Sequence, residues 1–137
     1  MKRILALDFG LKRTGIAVTD PMQMIASGLD TLATSELIAY LKKYMETEPV
    51  GTFVLGEPKQ MDGSPSESEV HIRAFIPKLE AVFPEVSIER QDERFTSKMA
   101  VQAMVAGGMK KKKRQEKGMI DQVSATIILQ AYLNRIS

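Results

Sequence analysis

The chain contains no cysteine. That excludes disulfides, thiolate nucleophiles and thiolate metal sites, and it agrees with a reducing, cytoplasmic setting. Histidine is almost as scarce, with His71 alone. A Ser-His-Asp hydrolase would have to be built on that one residue. His71 falls among polar neighbours in the helix expected after Ser66, with no nucleophile elbow near it, and reads as a surface residue. Carboxylates are therefore the source of any catalysis. Long apolar runs are missing as well. The first, Ile4 to Leu7, is too short for a secretory signal and ends at once in Asp8. No stretch approaches the roughly 20 residues of a membrane span, so a soluble protein without a membrane partner is expected.

What is present suffices for one domain, residues 1–137. A folded chain of this length buries roughly two-thirds of its unfolded surface, and an apolar content of 44% can fill the core. The net charge of +2 is unevenly spread. Lys110, Lys111, Lys112, Lys113, Arg114 and Lys117 stand against Glu116 within eleven residues, leaving the remainder slightly acidic. A lysine run is an ordinary solvated loop. It is also a means of binding phosphates electrostatically, and its Gly107-Gly108 start predicts a flexible segment.

The order of elements predicts an α/β fold. Residues 3–8 form a continuous apolar run suited to a buried central strand. Residues 15–19 return as a hairpin partner, stopped by Asp20-Pro21, and residues 24–33 supply a third strand. Ser35 is placed to cap a helix carrying Leu37, Ile38, Leu41, Tyr44 and Met45. Thr52 to Gly56 is a fourth strand, ended by Glu57-Pro58. Ser66 and Glu69 match a capping box, opening a helix that Pro77 should kink or split. Val86 to Arg90 reads as a fifth strand. A helix capped by Thr96 or Ser97 follows, then the basic loop, then a last helix from Met119 to Ile136. Three meandering strands followed by helix–strand units give a five-stranded mixed sheet with helices on both faces.

Three acids lie at the ends of such elements. Each has an ordinary explanation when taken singly. Asp8 is a turn former before a hairpin, Glu93 belongs to a solvated cluster ahead of a helix, and Asp121 complements a helix dipole. Together they gain a different meaning. Parallel first and fifth strands end on one edge of the sheet, where ligands of open α/β sheets gather. Converging carboxylates repel one another unless cations neutralise them. An all-oxygen site suits Mg²⁺ or Mn²⁺, and two such ions about 4 Å apart can activate a water and stabilise a leaving oxygen.

These residues carry a resemblance. Leu7-Asp8-Phe9-Gly10 with Arg13, Thr14, Gly15 and Ala17 is followed by Val54-Leu55-Gly56-Glu57-Pro58 with Met61-Asp62-Gly63. Asp92-Glu93-Arg94-Phe95-Thr96-Ser97 comes next, and Ile120-Asp121-Gln122-Val123-Ser124-Ala125 last. Over nearly its whole length the chain resembles the YqgF (RuvX) family of Holliday junction resolvases and pre-16S rRNA nucleases. The resemblance implies an RNase H-like fold and divalent-metal phosphodiester cleavage. It implies Asp8, Glu93 and Asp121 as the catalytic and metal-binding acids. Arg13, Arg94 and Thr96 match further motif positions, and with Lys110, Lys111, Lys112, Lys113 and Arg114 they are expected to bind substrate. Arg94 is equally well explained as the partner of Asp92 or Glu93, and Thr96 as a helix cap.

Glu57 and Pro77 depart from the family pattern. Related resolvases often carry a second acid one turn after the last, where this chain has Ser124, which points to one tightly held ion. The expected partner is nucleic acid, either structured RNA or branched DNA, and the expected state a monomer or a homodimer. Processing of the 5′ end of pre-16S rRNA is the first expected function. Resolution of Holliday junctions is the second, and a binding module of the same fold with weak catalysis is the third.

Overall fold

A computed structural model describes residues 2–60, 62–93 and 119–137. The strands are β1 (Arg3–Phe9), β2 (Arg13–Thr19), β3 (Ala26–Ala33), β4 (Val50–Glu57) and β5 (Ser87–Asp92). Among the described residues the helices are α1 (Leu37–Tyr44), α2 (Glu69–Val82) and α3 (Met119–Ile136). The strands form one sheet in the order β3-β2-β1-β4-β5. β1 pairs antiparallel with β2 and parallel with β4, and β4 pairs parallel with β5. This is the mixed sheet expected from the sequence.

Alternation along β1 and β4 sorts the core between the two faces. Leu5, Leu7, Phe53 and Leu55 pack with Leu37 and Leu41 of α1 and with Ile72 and Leu79 of α2. Their neighbours Ile4, Ala6 and Val54 point the other way, onto Ala125, Ile128, Leu129, Tyr132 and Leu133 of α3. Both faces of the central strands are thus covered, which explains why β1 reads as an unbroken apolar run. Toward its C-terminal end α3 is tied to β5, where Arg135 donates to the Gln91 side chain at 2.9 Å and to the Arg90 carbonyl at 2.8 Å.

Three local expectations are corrected. Ser35 does not cap α1. A 3-10 turn over Thr34–Glu36 leads into the helix, the N-cap residue is Glu36, and no side chain caps it. Ser66 and Glu69 do not form a capping box. The N-cap of α2 is Ser68, the Ser66 and Ser68 hydroxyls bond each other at 2.9 Å, and the Glu69 carboxylate is taken by two arginines. Charge-assisted bonds to guanidinium outcompete a neutral amide for that carboxylate. Pro77 does not split α2, which runs unbroken through it. The lost bond would have ended at the carbonyl of Arg73, four residues back on an exposed part of the helix where water can replace it.

The helix expected from Thr96 or Ser97, Arg94, Thr96 and the basic run Lys110 to Arg114 lie outside the described residues.

Candidate active site

Asp8 is the penultimate residue of β1, and Glu93 is the first residue past β5. Strand β4 runs between them. To reach Asp8, the Glu93 side chain has to cross β4, and it crosses at Gly56. A Cβ on Gly56 would stand 2.6 Å from Glu93 Cδ and 2.7 and 2.8 Å from its two oxygens. The bare glycine is the channel through which the two carboxyls meet. Main-chain pairing holds the approach, with the Glu93 amide donating to the Glu57 carbonyl at 3.2 Å.

The opposite flank uses the same device. Gly15 of β2 lies directly across from Asp8 in the sheet. The first turn of α3 rests on it so closely that a Cβ there would collide with the Asp121 carbonyl and come within 2.9 Å of the Gln122 amide nitrogen. The third acid is thereby carried up to the first. Asp121 also accepts a hydrogen bond from Arg13 Nε at 2.9 Å, on the solvent side of the site.

Charge is poorly accommodated among these acids. Burial pushes the Asp8 carboxyl up to about 7, and the charge of Asp121 adds to the effect. The Glu93 carboxyl is pushed up to about 8 by burial, by the charge of Asp8 and by its own hydrogen bond to Asp8. The bond lowers Asp8 and raises Glu93, as sharing one proton between two carboxyls requires. Arg90 moderates Glu93, and Glu69 opposes Arg90.

The structure therefore brings Asp8 and Glu93 into contact and sets Asp121 against Asp8. Among the described residues, no three of the His, Cys, Asp and Glu side chains are already arranged as a metal cluster, and Asp121 is bonded to Arg13. The donor chemistry nevertheless fits a hard divalent ion, since two carboxyls forced to share a proton gain by exchanging it for a cation. One turn after Asp121, the Ser124 hydroxyl is buried without a hydrogen-bond partner among the described residues. His71 is exposed, as expected. Glu57 is ion-paired with Lys59 at 3.3 Å.

Sequence reasoning missed two features. Gly56 stood in a motif but was assigned no role. The Glu69 and Arg90 ion pair was not foreseen. Glu69 is 2% exposed and accepts from Arg90 Nη1 at 2.9 Å and Nη2 at 2.6 Å, and from Arg73 Nε at 2.9 Å. These bonds, those of Arg90 first, hold Glu69 below the usual carboxylate range against the effect of burial.

A family model described as "RuvX: Holliday junction resolvase" matches residues 2–135. A protein of Christiangramia forsetii named "Putative pre-16S rRNA nuclease" is 59% identical over 133 residues, covering 97% of this chain and 98% of that protein. A protein of Flavobacterium psychrophilum with the same name is 56% identical over 135 residues, covering 98% of each. Among solved structures, T. thermophilus RuvC in complex with a Holliday junction substrate superposes with a TM-score of 0.59 at 13% identity, covering 100% of this chain and 97% of that one. At that identity the likeness speaks for the fold, which is the one RuvC has.

Proposed function

Because the chain belongs to the RuvX family of Holliday junction resolvases, we propose that it is a divalent-metal-dependent nuclease whose reacting centre is formed by Asp8, Glu93 and Asp121. The observation that carries this reading is the meeting of the Asp8 and Glu93 carboxyls across the bare Gly56, with the first turn of α3 bringing Asp121 up against Gly15 beside Asp8. Such crowding is costly in a protein that has no use for it. Asp8 and Glu93 would hold Mg²⁺ or Mn²⁺, with Asp121 completing the oxygen set once it leaves Arg13. Bound there, the ion would lower the pKa of an attacking water and stabilise the leaving oxygen of a phosphodiester.

The remaining roles belong to the chain itself. Asp8 is fixed by β1 and its pairing with Gly15, so its carboxylate is a rigid ligand. Glu93 can release its proton to solvent as a cation arrives. Arg13, half exposed at the rim, is placed to exchange Asp121 for a phosphate oxygen. Lys110 to Arg114, with Arg94 and Thr96, extend the substrate contacts. Replacing the five basic residues by Ser should weaken binding and flatten its salt dependence, and affinity unchanged across salt would remove them from the interface.

The names of the relatives favour RNA, specifically maturation of the 5′ end of pre-16S rRNA in the cytoplasm. The family description favours a second substrate, the four-way DNA junction, whose symmetric cleavage needs two active sites and hence a homodimer. Mg²⁺- or Mn²⁺-dependent cutting of one labelled substrate but not the other decides between them. Binding of both without cutting by folded, metal-supplied protein would reduce the chain to a nucleic-acid-binding module.

A further inference from the structure

We infer that the cavity beside the end of β1, on the sheet face away from the Asp8 carboxyl, is a subsite for one unpaired nucleotide of the substrate, its base stacked on the Phe9 and Phe75 rings and its phosphate met by Lys78. The inference rests on the reading of the chain as a nuclease, since it needs a nucleic-acid strand at Asp8.

Successive side chains of a strand point to opposite faces. Asp8 therefore turns toward α3, as Ala6 does, while Phe9 turns to the face covered by α1 and α2. A nucleic-acid strand drawn over the end of β1 passes from one to the other within a single residue. On the Phe9 side it meets a cavity of about 410 Å³, within the size range of small-ligand sites. Phe9 and Phe75 form one wall, with their rings stacked, the centroids 4.6 Å apart and both side chains half-buried. Leu11 lines the cavity as well and is 66% exposed. The turn that displays it is braced, because the Thr34 hydroxyl donates to the Gly10 carbonyl at 2.6 Å and the Thr34 amide to the Lys12 carbonyl at 2.9 Å. Another wall is one face of α2, where His71, Ala74 and Lys78 follow at helical spacing. Ala74 is small, which leaves open the space between the other two. Among the described residues no carboxylate lines the cavity, although the chain outside residues 107–117 is slightly acidic. Rings, a lysine and no acid suit a base with its phosphate. Every base has a π-face that an aromatic ring accepts whatever the sequence, and the ammonium answers the phosphate charge. An apolar peptide side chain would use the rings and leave Lys78 unused.

His71 is the one histidine of the chain, so its imidazole NMR signals report on this cavity in the full-length protein without ambiguity. The titrants are short single strands of RNA and of DNA of mixed sequence, and the same sequences fully paired. All are added in EDTA so that nothing is cut, and affinity is followed by fluorescence anisotropy. The expected result is a saturating shift of the His71 signals with a single strand and a much smaller one with the duplex. Ala74→Leu, at an exposed helix position that accepts leucine, narrows the cavity and should weaken single-strand binding by about 5- to 100-fold, the range for losing one stacked base. Phe75→Leu keeps an apolar side chain there and removes the ring, and should do the same. Should it fail to fold, Ala74→Leu carries the decision. Lys78→Gln should lower the salt slope of single-strand binding by about 0.7, the share of one phosphate contact. Single-strand binding that leaves His71 unmoved, with Ala74→Leu at wild-type affinity, would overturn the inference and leave the nuclease reading intact. An equal His71 shift with the duplex would overturn it too, since a paired base is not free to stack on the rings. A wild-type chain that binds none of these nucleic acids would instead overturn the nuclease reading itself, and this inference with it.

Discussion

Two groups of carboxylates, Glu69 fully buried and the Asp8–Glu93 pair partly so, stand at the same end of the sheet and are treated in opposite ways. Glu69 is closed off by two arginines, accepts three charge-assisted bonds and is held below the usual carboxylate range. Asp8 and Glu93 are instead pushed up, to about 7 and 8, by burial and by neighbouring carboxylates. The fold can supply a guanidinium at this edge and does so for Glu69. A carboxylate closed by guanidinium groups is held low, and carboxyls crowded together are held high.

The contrast is broken most severely at Asp8. Asp8→Asn removes the carboxylate on which the other two acids converge, and cleavage should fall by about 10²- to 10³-fold or more, measured as single-turnover rate at saturating metal. Gly56→Ala comes next. Its methyl group takes the place of the Glu93 carboxyl, and displacement by about 1 Å can cost about 10²-fold in rate. The same methyl at Gly15 meets backbone rather than a side chain. Gly15→Ala should therefore cost stability too, by about 1–3 kcal/mol on the scale of overpacking, read from denaturant unfolding.

The pH dependence sharpens the comparison further. Raised carboxyls bind protons in the folded state that they release on unfolding, so their contribution to stability is fully present below the unfolded values near 4 and is lost as pH rises through about 7 for Asp8 and about 8 for Glu93. Metal-free protein in EDTA should melt lower at pH 8.5 than at pH 5.5, and Mg²⁺ or Mn²⁺ should recover the loss chiefly at the higher pH. Asp8→Asn should flatten the profile. Glu69 runs the opposite way. Its stabilisation is present above the unfolded carboxylate value near 4.5 and is lost only as pH falls below it. The smallest effect is expected at Arg13. Its bond to Asp121 is half exposed, so Arg13→Gln should change stability by less than about 1 kcal/mol while weakening nucleic-acid binding several-fold and lowering its salt slope.

Much of this arrangement could be read from residue order. Alternating strand and helix signals gave the mixed sheet, and parallel β1, β4 and β5 place their C-terminal ends together, which brings Asp8 and Glu93 to one edge. Asp121 followed from the small, apolar stretch behind it, which lets α3 lie close on the sheet. The Glu69 and Arg90 ion pair was not legible, because the two residues are 21 apart and meet only through the seating of α2 over the sheet. Locally, Glu69 carries the signature of a capping box, and nothing in the sequence reveals that a guanidinium will outbid the amide. Gly56 was hidden for a related reason. A glycine in a strand signals close approach, but only the crossing of Glu93 over β4 says what approaches. Pro77 misled because its cost depends on whether the lost partner carbonyl can reach water, a matter of which side of α2 faces the solvent.

The central claim, that Asp8 and Glu93 form a carboxylate pair made for a divalent ion and that the ion serves phosphodiester cleavage, is tested most directly by one assay. A labelled pre-16S rRNA 5′ end and a labelled four-way DNA junction are offered to wild type and to Asp8→Asn, with Mg²⁺ or Mn²⁺ and with EDTA. The account predicts metal-dependent cutting of at least one substrate by wild type, abolished by EDTA and by Asp8→Asn. Cutting that persists in EDTA or in the variant would contradict it, as would a folded, metal-supplied wild type that cuts neither.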